Sequence, residues 1–93
     1  MHNTMTDTNE SLLRFPCAFP IKIMGRATAE FELTVVSLVR KHAPDLSEGA
    51  VTTRASKQAN YVSVTITVTA HSQAQLDAIY RELTACSEVL MVL

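Results

Sequence analysis

Polar and apolar residues alternate without a break over Tyr61–Ala70, YVSVTITVTA. Val62, Val64, Ile66, Val68 and Ala70 fall on one face, and Tyr61, Ser63, Thr65, Thr67 and Thr69 on the other. Period-two alternation rich in β-branched residues predicts a central strand with one face in the core. Ile21 to Met24 predicts the first strand, with Phe19, Ile21 and Ile23 on one face and Lys22 and Met24 on the other. Pro20 stands at its start, where a missing donor is tolerated, and Pro16 and Pro20 hold Cys17, Ala18 and Phe19 extended. Ala50 to Ser56 predicts a weaker strand, Val51, Thr53 and Ala55 against Thr52 and Arg54, whose low apolar content suits a sheet edge. Ser87 to Leu93, SEVLMVL, predicts a final strand that is apolar in both registers. It must therefore send either Val89, Met91 and Leu93 or Leu90 and Val92 to the side of Met24.

Two stretches change to helical spacing. Phe31, Val35, Leu38, Val39 and His42 recur on one helical face. Thr28 is a good N-cap, Glu30 and Glu32 suit the first turn, Arg40 to His42 suit the last, and Pro44 stops the run. The spacing predicts a helix over 29–42. Leu76, Ile79, Tyr80 and Leu83 predict a second helix over 73–85, opened by Ser72 and Gln75 in a capping-box pattern. Gly25 ends the first strand and permits a sharp turn, with positive φ within its range. Lys57 to Asn60 makes a hairpin turn. Residues 1–10 are polar and patternless and read as a disordered tail; 11–93 reads as one domain, with Leu12, Leu13 and Phe15 as an apolar arm on the body.

The element order is βαββαβ. Helical crossovers are right-handed, and the hairpin sets the second strand beside the third. The split-βαβ solution is an α+β, ferredoxin-like sandwich: a four-stranded antiparallel sheet of order 4-1-3-2 with two helices on one face. The other face is left to water or to a partner.

Composition narrows the function. A chain of 93 residues that is 47% hydrophobic suits a single compact domain. With 18% charged residues and a net charge of −1, it lacks the basic stripe of a general polyanion binder. RNA-recognition modules of this topology stack bases on several aromatics, whereas here only Tyr61 offers a ring on the open face. No apolar run approaches the ~20 residues that span a bilayer. The first 14 residues lack a signal-peptide pattern, so a cytoplasmic protein with reduced Cys17 and Cys86 is expected. His2, His42 and His71 are scattered, and no Cys/His or Ser/His/Asp spacing is recognisable. The glycine-rich phosphate loop of acylphosphatases, which share this topology, is absent: Ala27, Thr28 and Ala29 follow Gly25-Arg26. No catalytic residue, metal ligand or cofactor is assigned, and a small enzyme stands third among the readings.

The run FPCAFPIKIMG (15–25), the helix end Lys41-His42-Ala43-Pro44, the segment SKQANYVSVTIT (56–67) and the terminal MVL together resemble the YbeD-like family of small bacterial proteins. The resemblance covers nearly the whole chain past residue 10. It implies a ferredoxin-like fold similar to ACT regulatory domains, which bind small ligands such as amino acids at dimer interfaces. The family itself is of unknown function.

Two candidate sites follow. In the first strand-to-helix loop, Gly25, Arg26 and Thr28 offer backbone donors and a guanidinium to a carboxylate or phosphate; a tight turn with a solvated arginine is the plainer alternative. Lys22, Met24, Lys57, Asn60, Tyr61, Ser63, Thr65 and Thr67 form a candidate partner surface. Turn chemistry and ordinary strand threonines are its plainer alternative. The expected function is a non-enzymatic, ACT-like regulatory or adaptor module that binds a small anionic ligand or a protein partner. The rival is a pure interaction module with no ligand site. Association is expected as a weak homodimer or a transient partner site on the open face, with no nucleic acid and no membrane.

Overall fold

The computed structural model describes residues 13–93; the tail assigned to 1–10, and Leu12, lie outside them. The elements are β1 (Cys17–Arg26), α1 (Phe31–Arg40), a single 3-10 turn (Glu48–Ala50), β2 (Val51–Ala55), β3 (Tyr61–Ala70), α2 (Gln73–Ala85) and β4 (Val89–Val92). The four strands form one antiparallel sheet in the order β2-β3-β1-β4, the ferredoxin-like arrangement. The core lies between the sheet and both helices. Ile21 and Ile23 of β1 and Val64, Ile66 and Val68 of β3 meet Val35 and Val39 of α1 and Ile79 and Leu83 of α2, all fully buried. Each such side chain contributes about 1.5–3 kcal/mol. Leu13 packs against this core, and Phe15 is more exposed.

β1 is longer than the apolar run predicted. Its ladder with β3 extends from Cys17 opposite Ala70 to Arg26 opposite Tyr61. Pro20 therefore sits inside the strand and not at its start. The backbone of Lys22 exchanges two hydrogen bonds with Leu93, N–H to carbonyl at 3.2 Å and 2.8 Å. Residues of that parity aim their N–H groups toward β4. Pro20 lies two residues further along, past the last β4 pair, so its missing donor costs the ladder nothing.

The hairpin between β2 and β3 is closed by Ser56. Its N–H donates to the Tyr61 carbonyl at 2.9 Å, its carbonyl accepts the Ala59 N–H at 2.9 Å, and its hydroxyl accepts the Tyr61 N–H at 3.2 Å. Ala59 holds the turn at φ 59°. That left-handed conformation usually goes to glycine or asparagine.

The two helices start differently. α2 begins as read: the Ser72 hydroxyl accepts the Gln75 N–H at 3.1 Å, and Gln75 Oε1 accepts the His71 N–H at 2.6 Å. Gln75 Nε2 also donates to the His42 carbonyl at 2.8 Å, tying the end of α1 to the start of α2. α1 starts later than the pattern predicted. Its N-cap is Glu30, not Thr28, and no side chain caps it. Thr28 contributes its carbonyl to a long bond, 3.4 Å, from the Phe31 N–H. At the far end, Glu82 of α2 clamps α1: Lys41 Nζ lies 2.7 Å from one oxygen and His42 Nε2 2.5 Å from the other. Hydrogen bonds from Lys41 first, then His42, hold the Glu82 carboxyl below its ordinary value.

Gly25 corrects another expectation. It lies inside β1, opposite Val62 and Val89, and has no positive φ. Its lack of a side chain serves close packing. A Cβ there would collide with Phe31 Cε1, stand 2.5 Å from Phe31 Cζ and reach 2.7 Å from the Glu88 carbonyl oxygen. The buried Phe31 ring occupies that space, and so Phe31 is where α1 begins.

β4 also departs from strict alternation. Met91 pairs with Met24 and Val89 with Gly25, which leaves Leu90 as the extra residue of a β-bulge. Val89 and Val92 therefore both pack on the core, while Met91 follows Met24 to the open side. Neither alternating set holds unbroken across the strand.

Candidate functional site

The sheet's uncovered face follows from register, since residues directly opposite in an antiparallel pair share a face. Along β3 it presents Tyr61, Ser63, Thr65, Thr67 and Thr69. Opposite them on β1 stand Arg26, Met24, Lys22, Pro20 and Ala18. On β2, Arg54 lies opposite Ser63 and Thr52 opposite Thr65. Met91 and Leu93 complete the face beyond β1, with 51% and 60% of their surface exposed. Among the described residues this face carries three cations, Lys22, Arg26 and Arg54, and no acidic side chain. None of the three makes an ion pair with a described residue. The described acids that are paired, Glu82 and Asp45, meet Lys41, His42 and His71 instead.

Two hollows mark this face. Lys22, Thr52, Arg54, Ser63 and Thr65 line one of about 230 Å³. The other, about 150 Å³, adds Met24, Ala55, Ser56, Val62 and the half-exposed Tyr61 ring to Lys22, Arg54 and Ser63. Of the predicted partner surface, Lys22, Met24, Tyr61, Ser63 and Thr65 come together here. Thr67 lies further along β3, and Lys57 and Asn60 belong to the hairpin turn. The Asn60 carbonyl accepts the Ala27 N–H at 3.0 Å, which ties the hairpin to the end of β1. Arg54 and Thr52 are the residues that sequence reasoning left out. Their alternation put them on this face, and the hairpin register that sets Arg54 against Ser63 was the missing signal.

The first-loop site is differently built. A cleft of about 330 Å³ is lined by Arg26, Thr28, Glu30, Phe31, Ser87, Glu88 and Leu90. Arg26 and Thr28 reach it; Gly25 is buried beneath Phe31 and does not. Glu30 and Glu88 bring negative charge to the same cleft as Arg26. Both thiols are free, and no group of three or more His, Cys, Asp and Glu among the described residues is placed to hold a metal ion. No helix among the described residues is long and apolar enough to cross a membrane.

Residues 10–93 match a family profile described as "Protein of unknown function (DUF493)". The chain belongs to that family. Its relatives include a UPF0250 protein of Chromobacterium violaceum, 48% identical over 89 residues that cover 96% of this chain and 100% of that protein. A UPF0250 protein of Neisseria gonorrhoeae is 49% identical over 83 residues, 89% of this chain and 91% of the relative. Among solved structures, protein HP0495 of H. pylori superposes with a TM-score of 0.67 over 87% of this chain and 85% of that one. At 14% identity the likeness concerns the fold alone. The family's description names no activity, and fold by itself assigns none.

Proposed function

We propose that this chain is a non-enzymatic, ACT-like regulatory or adaptor module of the cytoplasm that docks a protein partner on the open face of its sheet. One observation carries the reading. Lys22 and Arg54 stand on that face among hydroxyls, with no acidic side chain of the described residues beside them, while Arg26 at its end reaches the cleft that Glu30 and Glu88 line. Since the whole chain has a net charge of −1, the cations are segregated by the fold and are not a product of composition. Two copies laid face to face would set like charges against each other, so an acidic partner fits better than a face-to-face homodimer.

Photo-crosslinking in native cytosol tests the proposal. A crosslinking residue at Thr67, on the open face, is compared with one at the exposed Leu33 of α1. Capture of one protein from position 67 and not from 33 is the expected result. Equal capture from both positions overturns the reading, as does no protein from 67 together with a metabolite retained by the purified chain.

The small-ligand reading stands second and rests on the Arg26 cleft. Because Glu30 and Glu88 line it too, a ligand with an ammonium beside its carboxylate suits it better than a simple anion. Glycine should then shift the amide signals of residues 25–29 in NMR spectra more than acetate does; equal or absent shifts remove the site.

A further inference from the structure

We infer that the open face holds a two-part site that takes an acidic side chain of a partner segment between Lys22 and Arg54 and that residue's apolar neighbour against Met24 and Tyr61. The inference rests on the docking proposal above and adds the partner's chemistry to it. β1 and β2 flank β3, and neighbouring strands lie roughly 4.8 Å apart with a rise of about 3.4 Å per residue, so Lys22 and Arg54, two spacings across and two residues along, stand about 12 Å apart across β3. Lys22 is opposite Thr65 and Arg54 opposite Ser63, so both long side chains border the same hydroxyl pair. All five residues lining that hollow can donate, through an ammonium, a guanidinium and three hydroxyls. An ionised carboxylate only accepts, and a guanidinium meets it with two parallel bonds. The hollow therefore suits a carboxylate, and no acidic residue lines it.

The second part sets the source of that carboxylate. The adjoining hollow shares Lys22, Arg54 and Ser63 with the first, and Met24 and Tyr61 bring apolar surface to it. A free inorganic anion would leave this part empty. Beyond it the face continues through Met24 to the exposed Met91 and Leu93. Apolar surface running on from a cationic hollow matches a peptide segment in which acidic and apolar residues are neighbours.

The experiment is an NMR titration of the full chain with a Glu-Leu-Glu-Leu peptide in Gly-Ser flanks. Gln-Leu and Glu-Ser counterparts and inorganic phosphate serve as the comparison arms. The Glu-Leu peptide should shift residues 22, 24, 54, 61, 63 and 65. Replacing Glu by Gln should weaken binding by roughly tenfold, the loss of a charge-assisted bond. The Glu-Ser peptide should bind less tightly than Glu-Leu, and phosphate more weakly than either acidic peptide. The Lys22→Gln plus Arg54→Gln variant, both sites being exposed, should keep its melting temperature and lose the preference for Glu over Gln. Equal binding of the Glu and Gln peptides, or no shifts at millimolar peptide, overturns the inference. Phosphate binding as tightly as the Glu-Leu peptide overturns it too, in favour of a free anion. If the peptides fail while the crosslink from position 67 persists, the docking face stands and only the two-part chemistry falls.

Discussion

The fold contains two strand-to-helix connections, β1 to α1 and β3 to α2, and they are built on different principles. The second is local. β3 stops at Ala70, Ser72 caps α2 through Gln75, and the helix starts where its capping box places it. The first is tertiary. β1 runs on through Gly25 to Arg26, the Thr28 hydroxyl caps nothing, and α1 starts where the Phe31 ring fills the space above Gly25. A capped connection is complete in itself, while the uncapped one leaves a cleft lined by Arg26, Glu30 and Glu88. The difference shows that equivalent turns of one fold need not carry equivalent signals in their sequences.

The hardest way to break the contrast is Gly25→Ala. A methyl group there meets a buried ring and a backbone carbonyl, neither of which is the free end of a flexible chain. Overpacking of this kind should cost about 1–3 kcal/mol, measured by urea unfolding. Adding Phe31→Leu should recover part of that loss, so that the two changes are non-additive. A cost near zero would mean that Gly25 serves no packing role.

A smaller effect separates the two caps. Ser72→Ala should destabilise by about 0.5–2 kcal/mol, because the Gln75 N–H loses its acceptor. Thr28→Ala should stay within about 0.5 kcal/mol, as its hydroxyl serves no cap. Equal losses from the two substitutions would erase the distinction between local and tertiary helix starts.

The smallest effect concerns acid. The two halves are joined at the other end of the helices by Glu82, held below its ordinary value of 4.5 by Lys41 and His42. A carboxyl with a depressed folded-state value stabilises the fold above its unfolded value and loses that contribution as pH falls through the folded one. Unfolding midpoints of the wild type and Glu82→Gln should therefore differ at neutral pH and converge below pH 4.5. A difference that persists in acid would assign the effect to packing instead.

Local patterning is enough to specify the period-two strand 61–70, the capped helix 73–85, the edge position of 51–55 and the topology that follows from their order. These signals are local: alternation sets the faces of a strand, and a cap sets the start of a helix. The extent of β1, the late start of α1 and the bulge at Leu90 come from the packed fold, because each answers to a distant partner. Pro20 is tolerated because β4 ends before reaching it, and Gly25 is required because Phe31 lies over it. The candidate face divides in the same way. Tyr61, Ser63, Thr65 and Lys22 were legible from alternation, but Arg54 joins them only through the register of the hairpin. Register is a relation between two strands, set by the turn that joins them as well as by each strand's own alternation.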